Sequence, residues 1–101
     1  MPPEDDRRRR AAVVVNPTKV VDPAALRDSL TLAMTDAGWS TPLWLETTAV
    51  DPGYGMTRQT LDDGARLVLA CGGDGTVRAV LTMLAGSGIP LIRRDRPGPN
   101  S

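Results

Sequence analysis

The chain has 101 residues, and its 12 Lys and Arg balance 12 Asp and Glu, so no net field exists to gather nucleic acid or an anionic surface. A chain of this length buries about 60–65% of its unfolded surface, enough for one core and no second domain. One Cys and no His exclude a disulfide framework, cysteine zinc sites and every imidazole-based mechanism.

Charge is spread unevenly. Residues 1–10 carry four Arg and three acids, residues 11–92 five basic and eight acidic groups, and residues 93–101 three Arg and one Asp. The first ten residues lack apolar periodicity and read as a disordered arm. Ala11–Val15 is a continuous apolar run closed by Asn16 and Pro17, the pattern of a strand buried on both faces. It is too short for a membrane span or a secretory signal core, which predicts a cytoplasmic chain. Asp22 supplies an N-cap oxygen and Pro23 a first helical residue; Leu26, Leu30, Ala33, Met34 and Ala37 then form one stripe, ended by Gly38.

Thr41–Thr48 reads as a second strand, followed by the break Asp51-Pro52-Gly53 and a short helix over about Gly55–Asp63, stopped by Gly64. Leu67–Ala70 makes a third buried strand running into Cys71 and the turn Gly72-Gly73-Asp74-Gly75-Thr76. The next helix carries Val77, Val80, Leu81 and Leu84 at helical spacing, and Gly86 and Gly88 punctuate its end before a fourth strand starts at Ile89–Ile92. Alternating strands and helices predict an α/β fold, a parallel sheet with flanking helices. Arg93–Ser101 holds no apolar residue that could pack and reads as a disordered tail. Three aromatics, Trp39, Trp44 and Tyr54, leave little for stacking bases.

The chemistry concentrates in Gly72–Thr76. Glycines let a backbone approach a phosphate closely, and a helix start offers free N–H groups and a partial positive charge. The turn lacks the Lys of a Walker loop, and Arg78 stands where a dinucleotide fingerprint has its third Gly. By chemistry alone the segment reads equally as a phosphate cradle and as a plain strand-to-helix turn capped by Asp74.

VVVNPTK at Val13–Lys19, LETTAVDPGYG at Leu45–Gly55 and GGDGT at Gly72–Thr76 resemble the N-terminal portion of the diacylglycerol kinase family catalytic domain, closest to its bacterial lipid kinase members. GGDGT is shared with NAD kinases, which leaves an NAD kinase-like fragment as a second reading; a noncatalytic interaction domain or pseudogene product is the third. The resemblance covers residues 11–92. It implies an ATP-binding part of a kinase that passes the γ-phosphate, with Mg²⁺, to a diacylglycerol-like lipid hydroxyl. Gly72, Gly73, Asp74, Gly75 and Thr76 would hold the ATP phosphates, with Asn16 and Lys19 beside them and Thr47 touching nucleotide after the second strand; Thr48 rivals Thr47. Asp74 would have a structural or metal-linked role, since a bare carboxylate beside a triphosphate repels it.

In the family the fourth strand leads into a Gly-Thr-Gly-Asn-type loop, where this chain has Arg93–Ser101. The general base, the metal ligands and the lipid site are expected in a C-terminal lobe beyond it. The sequence therefore reads as a truncated or frameshifted product, inactive alone, binding ATP weakly and engaging a lipid acceptor only with that lobe supplied. An unpaired sheet edge is expected to favour oligomers and low stability.

Overall fold

Strand β1, Ala11–Val15, carries no polar side chain, and each of its residues is 0% exposed. The computed structural model that places it describes residues 10–94. Most of the arm at 1–10 and the tail at 93–101 therefore lies outside the described residues. β1 pairs in parallel with β2 (Leu43–Glu46) on one side and β3 (Leu67–Cys71) on the other, and β3 pairs in parallel with β4 (Leu91–Arg94), giving the order β2-β1-β3-β4.

Side-chain alternation along β1 divides the interior in two. Ala11, Val13 and Val15 join Leu69 and Cys71 under helix α1 (Pro23–Asp36), which contributes Leu30, with Leu26 and Met34 partly buried beside it. Val14, Val68 and Ala70 face the opposite way, toward Met56 and Leu61 and toward Val77, Val80 and Leu84 of helix α3 (Asp74–Leu84). Helix α2 (Tyr54–Asp62) packs on that second face beside α3. The result is the expected α/β fold, a four-stranded parallel sheet between helical layers.

Several boundaries and faces differ from the sequence reading. Ala33 and Ala37 are exposed, because a side chain of one carbon does not reach the sheet from the flank of the Leu26-Leu30-Met34 line. In α3, Ala79 is buried at 1% exposure and Leu81 lies outside at 53%. The small side chain at Ala79 admits the start of α2: a Cβ on Gly53 would stand 3.5 Å from the Ala79 Cβ. β2 is confined to the four residues that find partners on β1. β4 begins two residues later than Ile89, since Pro90 has no N–H for the ladder and the pairing starts at Val68 with Leu91. It also runs on through Arg93 and Arg94, beyond the expected end at Ile92. Arg10 is fixed as well: its carbonyl accepts the Arg66 N–H at 2.8 Å and its guanidinium meets Asp63 at 3.1 Å.

The helix starts are closed by different acids. Asp22 Oδ1 accepts the Ala25 N–H at 3.0 Å, as its N-cap position predicts. At α2, whose N-cap is Gly53, Asp51 does the work from two residues upstream. Its Oδ1 accepts from the N–H of Gly53 (2.9 Å) and Tyr54 (2.7 Å), and its Oδ2 from Gly55 (2.9 Å). The N–H groups of Gly53, Gly55 and Tyr54 favour the charged form and hold the Asp51 carboxyl below its ordinary 3.8.

Two predictions follow from these contacts. Leu30→Ala is expected to cost about 2–4 kcal/mol in denaturant unfolding, whereas Leu32→Ala, at a position 62% exposed, should stay within about 0.5 kcal/mol. A folded-state pKa below the unfolded one means that Asp51 stabilises the fold above its unfolded value and loses that effect as pH falls through the folded value. Asp51→Asn should therefore lower Tm at neutral pH, with the gap to wild type closing as pH drops below 3.8.

Candidate functional site

The chain leaves β1 toward β2 on one side and leaves β3 toward β4 on the other, so the loops after β1 and β3 diverge. In an open parallel sheet such a switch point opens a crevice beyond the carboxyl ends of the strands. Asn16 and Gly72 face each other there. The Asn16 N–H donates to the Cys71 carbonyl at 2.9 Å, extending the β1–β3 ladder to the edge of the turn.

Gly72 has φ +151°, and a Cβ on it would stand 3.0 Å from both the Asn16 Cβ and the Thr76 Oγ1. Both the backbone angle and the space demand glycine. Gly73 and Gly75 are different, since neither has a positive φ. A Cβ on Gly75 would meet nothing within 4 Å, and one on Gly73 only the Lys19 side chain, at 3.9 Å from Cε. The fold gives no reason for glycine at these two positions. Their missing side chains leave the surface of the turn open beside Lys19.

α3 starts at this turn with Gly73 as N-cap and, among the described residues, no side chain bonded to its first N–H groups, in contrast to α1 and α2. Helix geometry gives the N–H groups of Asp74, Gly75 and Thr76 no partner within the helix. Asp74, the anticipated cap, is the first helical residue instead. Its carboxylate accepts from Arg93 Nη2 at 2.8 Å. Thr76 is 2% exposed, and its hydroxyl has no hydrogen-bond partner among the described residues.

The other residues singled out by sequence divide. Lys19 ends a one-turn 3-10 helix, Pro17–Lys19, that brings it over Gly73. Asn16 fixes that turn, its Oδ1 accepting from the Thr18 N–H at 3.0 Å and the Thr18 hydroxyl at 2.7 Å. Thr47 is buried at 8% exposure and donates its N–H to Val15 at 2.8 Å. Two strand spacings, about 10 Å, separate it from the Gly72 turn across β1. Thr48 belongs to the loop instead, its hydroxyl accepting the Asp51 N–H at 3.0 Å. Arg93 was missed by the sequence reading; the signal available was its position two residues after Leu91, on the same side of a strand.

Residues 10–95 match the family described as diacylglycerol kinase catalytic domain. The chain belongs to that family. Neither the curated proteins nor the solved structures yield a match. The matched span contains the whole crevice, from Asn16 through Gly72–Thr76 to Arg93, and it extends past the Ile92 boundary expected from sequence. No helix among the described residues is long and apolar enough to cross a membrane.

The two kinds of glycine in the turn should separate by experiment. Gly72→Ala is expected to destabilise the domain by about 1–3 kcal/mol through backbone strain and the Asn16 and Thr76 contacts. Gly75→Ala should raise stability by about 0.5 kcal/mol, because it restricts the unfolded chain and meets no obstacle in the fold. Chemical denaturation of both variants beside wild type checks the pair.

Proposed function

We propose that this family domain binds the phosphates of ATP at the Gly72–Thr76 turn and serves as the nucleotide side of a lipid kinase. The observation that carries the reading is the Thr76 hydroxyl, buried and without a partner among the described residues, under a turn that carries no Cβ at Gly72, Gly73 or Gly75. A donor left without an acceptor is costly unless something else meets it. Around it stand the uncapped start of α3, whose N–H groups and dipole favour an anion, and Lys19 at the open side of Gly73.

The residues fit a polyphosphate better than a resident metal. No group of three or more Cys, Asp or Glu among the described residues could hold a metal ion, so Mg²⁺ would arrive with the nucleotide. ATP supplies a transferable γ-phosphoryl group, and Mg²⁺ offsets its charge. The chain's own part is to orient: the N–H groups of Asp74, Gly75 and Thr76 face one phosphate, Lys19 balances its charge, and the hydrogen-bonded Asn16–Thr18 turn keeps Lys19 in place. Family membership favours a lipid hydroxyl as the acceptor. Thr47, on the far side of β1, would meet a more distant part of the nucleotide.

Titrating Mg·ATP into the full chain while following backbone amide shifts tests this. Shifts at Asn16, Lys19 and Gly72–Thr76 are expected, with a dissociation constant on the order of millimolar. Gly73→Val should remove them and Arg7→Ala should leave them unchanged. Shifts confined to the Arg-rich ends would overturn the reading.

A further inference from the structure

Strand pairing sets Arg93 level with Ala70, two residues before Gly72, on the side of β4 that Leu91 turns toward the α2 and α3 layer. From there its Nη2 reaches Asp74 Oδ1 at 2.8 Å. Both side chains are open to water, 49% and 83% exposed, so the pair adds little to folding. Its position matters more, because Asp74 opens α3 next to N–H groups that no side chain caps.

A carboxylate at a helix start is favoured by the dipole and competes with any other anion for it. With Lys19 and Asp74 alone, the formal charges at the turn cancel. Arg93, paired with Asp74, offsets that carboxylate. The Thr76 hydroxyl, buried and without a partner among the described residues, lies at this same turn.

We propose that Arg93 is a specificity-determining residue of the phosphate site, neutralising Asp74 so that the start of α3 accepts a polyanionic phosphate chain. The inference rests on the nucleotide reading above and adds a residue that the GGDGT segment does not contain.

The test uses the full chain with ATP and, separately, inorganic tripolyphosphate, both in EDTA so that no metal bridges Asp74. Binding is read from the amide shifts of Gly72–Thr76 at low and high salt. Arg93→Ala and Arg93→Gln should weaken both ligands about two- to fivefold at low ionic strength, and the difference should shrink at high salt. Arg93→Lys should keep most of the affinity. Asp74→Asn should strengthen binding, and Arg93→Ala combined with Asp74→Asn should return close to wild type. Thermal melts of each variant confirm that it is folded.

Wild-type binding with unchanged affinity in Arg93→Ala and Arg93→Gln would overturn the role of Arg93 and leave the nucleotide site standing. Weaker binding in Asp74→Asn would overturn it too, since the carboxylate would then help the ligand. No shift at Gly72–Thr76 in the wild type would remove the phosphate site itself, and this role with it.

Discussion

Burial of β1 on both faces is the constraint from which the remaining architecture follows. Five consecutive residues are withdrawn from water, so the sheet needs a layer on each side. Val13 and Val15 are covered by α1, while Val14 is covered from the α2 and α3 side. Parallel strands require crossover helices, and every crossover returns the chain to the amino end of the sheet. The loops after β1 and β3 therefore leave from the same end of the sheet, and the crevice between Asn16 and Gly72 is a consequence of how the core is closed.

Within that crevice the three glycines have different causes. Gly72 is required by the protein, through its φ of +151° and the 3.0 Å approaches of Asn16 and Thr76. Gly73 and Gly75 face space that a side chain could fill at no evident cost to the fold. A residue type that packing does not demand, beside a buried hydroxyl with no partner among the described residues, is consistent with a ligand that needs the room. One short segment thus combines a structural glycine with two that the nucleotide proposal explains.

The acids at the helix starts make a similar contrast. Asp22 and Asp51 spend their oxygens on backbone N–H groups, which closes α1 and α2 to outside anions. Asp74 has no such bond and turns to Arg93, leaving the first N–H groups of α3 without a side-chain cap. Three carboxylates near helix N-termini would repel an anion equally on a count of charge. Their geometry leaves only α3, among these helices, with an open start.

The sequence by itself determined the element order, the parallel α/β class and the family, because those depend on local signals: an unbroken apolar run at Ala11–Val15, an N-cap at Asp22 ahead of Pro23, and a glycine turn between a strand and a helix. It also located Gly72–Thr76 and Lys19 as candidate phosphate residues. Only the tertiary structure decided which faces those elements turn inward, where Ala79 is covered and Leu81 is not. It separated Thr47 from the glycine turn by inserting β1 between them, and it joined Asp74 to Arg93, nineteen positions apart. The reason is physical: burial periodicity and turn chemistry act over a few residues, whereas strand order and register depend on how distant apolar faces pack together. Arg93 looks like the start of a polar tail until β3 supplies the partner that makes it a strand residue at the mouth of the site.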